Sequence, residues 1–228
     1  MHRAIDPAIL YFGTPVVVIS TVNPDGSANL APMSSAWWLR NNCLLGLDPT
    51  SRTAQNLLRT GECVLNLPNG DQAELVDRLA LTTGTPVVPP HKVARGYRYE
   101  ADKFGISGLT PLASTRVAAP RVKEFPVHME AELEQSWAMA PKGQPQMAAA
   151  SPLAFHMRIV QVHVEENLVM AGHGNRVDPD QWRPLIMSFQ QFYKLGPRAG
   201  ASTLASVPEE MYRRRGPMPA AAVESPTR

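Results

Sequence analysis

Residues Pro15–Val22 are rich in β-branched side chains and are bounded by Gly13-Thr14 and Asn23-Pro24, which predicts a strand. Asn23-Pro24-Asp25-Gly26 predicts a tight turn, because proline presets φ and glycine accepts a positive φ. Ser27–Ala31 then returns as a second strand. Pro32 has no N–H to give a ladder, so the strand must break or reach an edge there. Ala36–Leu47 resumes strand character around a turn at Arg40-Asn41-Asn42. Asp48-Pro49-Thr50-Ser51 signals a helix start, with Thr50 or Ser51 as N-cap. That helix is expected to run to about Thr60, where Gly61 suits the residue after the C-cap. Its apolar face is Ala54, Leu57 and Leu58. Cys63–Leu67 predicts another strand, stopped by Pro68-Asn69-Gly70, and Asp71 is placed to cap a second helix through Glu74, Leu75, Val76 and Leu79.

The periodicity weakens over 81–110, which is long for a loop and reads as a compact excursion over the mouth of a barrel, with a short helix at Tyr97–Phe104. Alternation returns over Val122–Trp137, with Val127, Met129, Ala131 and Leu133 on one face and His128, Glu130, Glu132 and Glu134 on the other. Ala138–Ser151 reads as a long exposed connection. Pro152–Val164 alternates again, and Leu168–His173 is expected to pair with it. Asp178–Tyr193 reads as a helix carrying Trp182, Leu185, Ile186, Phe189 and Phe192. The fold class is therefore mainly β with flanking helices, as one domain over 1–212. Residues 213–228, with Arg213-Arg214-Arg215 and several prolines, are expected to be a disordered tail.

Composition narrows the function classes. Of 228 residues, 44% are hydrophobic and 18% charged, enough to bury a real core. A net charge of +2 is too small for a nucleic-acid surface. The N-terminus lacks an apolar signal core and no run approaches a membrane span, so a cytoplasmic protein is expected, with neither nucleic acid nor membrane as partner. Cys43 and Cys63 sit in apolar strand runs and read as reduced, buried thiols, or as a disulfide if their strands are neighbours. No His/Cys/Asp/Glu set has metal-ligand spacing. No Ser-His-Asp set, phosphate-binding loop or dinucleotide glycine fingerprint is visible.

Two polar clusters remain as candidate chemistry. Ser51-Arg52-Thr53 stands at a helix start, where unpaired N–H groups, the dipole, two hydroxyls and a guanidinium suit a phosphate. An ordinary capped helix uses the same residues. Ala31-Pro32-Met33-Ser34-Ser35 is a corner whose small side chains let backbone and hydroxyls approach a flat ring; a polar corner that only closes a barrel reads alike. His173, between Gly172 and Gly174, is open to a ligand or is a plain surface turn. His156 and His163 read as wall residues. Trp37 and Trp38 must point to opposite faces of a strand; the expectations are one toward the core and one toward a subunit contact, or both covering core.

The clusters together resemble the flavin reductase-like family. The matching features are Val16–Thr21, Asp25-Gly26, Asn29-Leu30-Ala31-Pro32-Met33-Ser34, Thr53-Ala54-Gln55-Asn56 and Val64-Leu65-Asn66, in order over 14–67, with weaker likeness to about Leu133. The resemblance implies a split β-barrel and a homodimer binding FMN, or FAD, at its interface. It implies hydride transfer from NAD(P)H to flavin and electrons passed to a second acceptor. It puts Ser34 and Ser35 at the ring, with Ala31, Pro32 and Met33 of the same corner as further cofactor-binding candidates, and Ser51, Arg52 and Thr53 at the phosphate. Asn56 would sit nearby in a structural role. Apart from the resemblance, the glycines flanking His173 would let it line the nicotinamide or substrate side of the flavin. Many members carry Lys where this chain has Ser51, so either the phosphate charge falls to Arg52 or the family's phosphate geometry is not preserved. The competing expectations are a flavin-storing module, a relative acting on another small molecule, or a barrel that binds no cofactor.

Overall fold

The computed structural model describes residues 1–212. The expected tail lies outside them. Backbone contacts separate a large unit, residues 1–197, from a second that begins at Arg198. Within the latter, Thr203–Ser206 and Glu209–Tyr212 form short 3-10 turns.

The large unit begins with β1 (Phe12–Pro15), β2 (Val17–Val22), β3 (Ala28–Met33), β4 (Ala36–Leu39) and β5 (Asn42–Leu47). α1 (Arg52–Thr60), β6 (Glu62–Leu67) and α2 (Ala73–Asp77) follow. The excursion holds β7 (Thr82–Thr83), α3 (Pro90–Val93), β8 (Arg98–Tyr99) and α4 (Lys103–Ser107). Then come β9 (Pro111–Leu112), β10 (Arg121–Val122), β11 (Val127–Ala138), β12 (Leu153–Val164), β13 (Leu185–Ser188) and β14 (Gln191–Lys194).

Seven strands form one antiparallel sheet in the order β3-β2-β6-β11-β12-β5-β4. Its two edge strands, β3 and β4, are separated in sequence only by Ser34 and Ser35. A sheet whose edges are tied by two residues must curl until they meet at that corner, which gives a barrel closed at one end and split elsewhere. Pro32 is tolerated because β3 is an edge.

The strand alternation decides the core. Val17 and Ile19 point to one face of β2 and pack with Leu45, Leu57, Leu65, Phe155 and Met157. Val18 points to the other and, with Val16 just before the strand, packs with Leu30, Val76, Leu79, Phe125 and Leu185. Both faces of β2 are thus covered, and Val17, Val18 and Ile19 are fully buried. Cys43 and Cys63 are free and buried on non-adjacent strands. Burial pushes the Cys43 thiol up to about 12 and the Cys63 thiol up as well. Trp38 packs on the first core while Trp37 is 53% exposed.

The first hairpin closes at Gly26, with φ 85°. Asp25 takes the backbone N–H and hydroxyl of Ser27.

Several expectations need correction. Asp178–Tyr193 is not a helix: 185–194 is the β13–β14 hairpin, paired through β13 with β1 in a three-stranded sheet. The apolar residues of this segment fall at helical spacing and do not alternate; pairing with Phe12–Pro15 overrides that local pattern. Leu168–His173 forms no strand; Val169 makes one isolated bridge to Val177. Within 97–104 there is a two-residue strand at Arg98–Tyr99, and the helix comes later, at Lys103–Ser107. Asn69, not Asp71, is the cap that leads into α2, by way of a 3-10 turn over Gly70–Gln72.

Candidate functional site

Ser51 is the N-cap of α1: its hydroxyl oxygen accepts from the Ala54 N–H at 3.2 Å. The chain enters extended at Ser51, and Gly61 closes the helix in the left-handed region with its N–H on the Leu57 carbonyl. The helix therefore begins at a defined point, and the N–H groups of Arg52 and Thr53 precede any partner one turn back. Thr53 is buried, and its Oγ1 accepts from Asn29 Nδ2 at 3.1 Å. Since Asn29 stands on β3, this bond links the helix start to the strand that ends in the serine corner.

The corner and the helix start face one cavity of about 630 Å³, within the range of small-molecule sites. Ala31, Pro32, Met33, Ser34 and Ser35 line it, and so do Ser51, Arg52 and Thr53. Asn56 and His173 do not. Asn56 is buried one turn along α1, where its Nδ2 donates to Thr21 Oγ1 and Asn23 Oδ1, both at 3.0 Å, and so ties the helix to the end of β2. His173 lies on an exposed turn, its N–H on the Met170 carbonyl. His156 hydrogen-bonds Asn42 across the β12–β5 ladder, and His163 meets Glu130.

The excursion forms one wall, which the sequence reading left without site residues. Thr83, Gly84, Lys92, Arg95 and Tyr97 all face the cavity. Four contacts hold this strap to the helix start and the turn before it. The Gly84 carbonyl accepts from Arg52 Nε at 3.0 Å, and Thr85 Oγ1 donates to the Thr50 carbonyl at 3.2 Å. His91 Nε2 lies 3.1 Å and Lys92 Nζ 3.5 Å from Asp48 Oδ2. The approach at Gly84 is close enough to require glycine: a Cβ there would meet Asn29 Oδ1 at 2.3 Å and Arg52 Cβ and Cγ at 3.1 Å.

Asp48 organises this end. Burial opposes its charge, yet the hydroxyl and N–H of Thr50, with His91 and Lys92, outweigh that and hold the carboxyl down to about 2. Lys92 is buried at 7% exposure, whereas Arg95 is exposed at the mouth. Cations on the wall (Arg52, Lys92 and Arg95) exceed acids (Asp48 and Asp77), which favours an anionic group.

The opposite wall comes from the chain ends of the large unit: Tyr11, Met187, Gln190 and Phe192. Tyr11 Oη and Ser35 Oγ are 2.8 Å apart, and the Ser35 carbonyl accepts from Gly46 N at 2.9 Å. Gly46 is also tight, since a Cβ would meet Ser35 Cβ at 3.3 Å.

A curled, split antiparallel barrel with a phosphate-type helix start beside a small-residue corner defines the fold class. The profile of the flavin reductase like domain matches residues 9–196, and the chain belongs to that family. It is similar to the uncharacterized protein YdfE of Bacillus subtilis (strain 168), 35% identical over 198 residues, covering 87% of this chain and 91% of the relative. Among solved structures it resembles the flavoredoxin of Desulfovibrio vulgaris (Miyazaki F), with a TM-score of 0.71, 20% identity and coverage of 90% and 99%. It also resembles a Shewanella frigidimarina NCIMB 400 structure described as a flavin reductase with a split barrel domain, with a TM-score of 0.65, 20% identity and coverage of 83% and 86%. At these identities the structures bear on the fold alone. Among the described residues no helix is long and apolar enough to cross a membrane, and no His/Cys/Asp/Glu group is placed to hold a metal.

Proposed function

We propose that the cavity holds FMN and that the protein takes hydride from NADH or NADPH and passes electrons to a second acceptor. The observation that carries this reading is the gathering of both polar clusters on one cavity of about 630 Å³. A helix start with free N–H groups, two hydroxyls and nearby cations suits a phosphate dianion. A corner of small residues suits the edge of a planar ring. The tight fit around Gly84 is a built cradle rather than a loose surface loop.

In this reading Ser51 and Thr53 orient the phosphate, and Arg52 and Lys92 balance its charge. Lys92 then takes up the role of the lysine that many relatives carry where this chain has Ser51. FAD would extend toward Arg95 at the mouth. Flavin, when bound, supplies the hydride-accepting centre. The chain's own part is to bind, orient and shield, and no side-chain acid or base is required of it.

A second copy of the chain is the proposed partner. Phe12, Trp37 and Leu39 are large apolar side chains left 71%, 53% and 63% exposed, and aromatics are enriched at subunit contacts. Two free thiols suit a reducing, cytoplasmic setting.

The test is a visible spectrum after FMN loading and desalting, followed by anaerobic NAD(P)H. A retained flavin spectrum that bleaches supports the proposal. A retained spectrum that does not bleach removes the reductase and leaves a flavin-binding module.

A further inference from the structure

The β13–β14 turn holds two non-glycine residues in the left-handed region. Ser188 pairs with Gln191, so Phe189 and Gln190 are the two turn residues, at φ 44° and 67°. Two-residue hairpins of this kind select Asn-Gly or Asp-Gly because both central positions need positive φ. A bulky aromatic followed by glutamine is a poor choice for the backbone alone. Strain of this sort persists where surrounding structure enforces it, and it collects at ligand sites.

Here the surroundings do enforce it. The Phe189 N–H donates to the Tyr11 carbonyl at 3.0 Å, and the Phe189 ring stands edge-on to Phe12, centroids 4.6 Å apart. Tyr11 in turn reaches Ser35 through its hydroxyl. The turn is thus fastened one tyrosine side chain away from the serine corner. Gln190 lines the cavity there, is exposed, and its carboxamide has no partner among the described residues. Meanwhile Ser35 already shares its hydroxyl with Tyr11 and its carbonyl with Gly46.

We propose that Gln190 is a ligand-recognising residue whose carboxamide, one donor beside one acceptor, pairs with the imide edge of a flavin ring at this corner. The inference rests on the flavin reading above. It explains why the turn keeps glutamine where glycine would relieve the backbone, and it assigns the hairpin the task of reading the ring while the strap reads the phosphate.

The experiment measures binding of riboflavin and of N3-methylriboflavin, by fluorescence quenching, to the wild-type chain and to Gln190→Gly. The substitution eases the backbone, so the ligand-free variant should melt no lower than wild type. Riboflavin affinity should fall about tenfold, as expected for two hydrogen bonds. Affinity for the methylated ring, whose imide N–H is blocked, should fall much less, so that the wild-type preference disappears. Unchanged riboflavin affinity, or an equal loss for both flavins, overturns the proposal while leaving the flavin site standing. A wild-type chain that binds neither flavin overturns the flavin reading and this inference with it.

Discussion

Asn29 Nδ2 donates to Thr53 Oγ1 at 3.1 Å in a fully buried setting. This bond joins the edge strand that leads into the serine corner to the first turn of α1, and so sets the two polar clusters relative to each other. Asn29→Ala removes the donor and opens space beside Gly84. The expected cost is about 1–3 kcal/mol of stability, read by urea unfolding, together with weaker flavin binding. A variant that unfolds like wild type would show that the bond does not hold the site.

Gly84 is where the strap crosses the helix start. Gly84→Ala places a methyl against Asn29 Oδ1 and Arg52. Overpacking of this sort costs about 1–3 kcal/mol. Flavin retention should drop, because the strap must lift to make room. Retention equal to wild type in a desalting experiment would show that the strap is not part of the site.

Arg52 has two tasks in this account: its Nε holds the Gly84 carbonyl, and the residue lines the cavity with a charge for the phosphate. Arg52→Ala should weaken FMN by about tenfold or more, in line with losing a charge-assisted hydrogen bond. Riboflavin, lacking phosphate, should be affected less. Equal losses for the two ligands would assign Arg52 to holding the strap only.

Glu130 is a fully buried carboxylate that anchors residues 115–117. It accepts the backbone N–H groups of Thr115, Arg116 and Val117 and the Thr115 hydroxyl, and His163 Nε2 lies 2.6 Å away. Burial opposes its charge, but the Thr115 N–H, His163 and the Arg116 N–H outweigh that and bring the carboxyl down to about 2 from 4.5. A depressed carboxylate contributes stability above its unfolded value, and that stability is lost as pH falls from about 4.5 toward 2. His128 acts higher on the scale. Its Nε2–H donates to the Val122 carbonyl, its Nδ1 is buried without a partner among the described residues, and burial lowers its pKa from 6.5. The fold holds this ring neutral, so stability should begin to fall below pH 6.5. Melting curves of wild type and Glu130→Gln against pH separate the two: the Gln variant should lose the acid limb below about 4.5 and keep the limb from His128. Superimposable profiles would contradict the Glu130 assignment.

Local signals made much of the barrel legible. The Asn23–Gly26 turn, the Ser51 cap and Gly61 each determine their own backbone, so the opening hairpin and α1 could be read from a few residues. The serine corner and the helix start were visible as polar clusters for the same reason. The curl that brings them to one cavity was not, because it follows from the edge strands meeting across Ser34-Ser35. Lys92 and Gly84 were hidden because their positions depend on how the strap folds back, and no short pattern records that. The β13–β14 hairpin was misread because Leu185, Ile186, Phe189 and Phe192 fall at helical spacing, and the long-range pairing with β1 overrides it. Its turn also lacks the glycine or asparagine that would have marked it, and its partner strand lies at the far end of the unit.

The most direct test of the central claim, that the corner and the helix start form one flavin site, is an equilibrium titration of FMN and riboflavin fluorescence with the wild-type chain. The account predicts saturable quenching at one flavin per chain, with FMN clearly tighter than riboflavin because the helix start engages the phosphate. Absence of quenching, or equal affinity for the two, would contradict it.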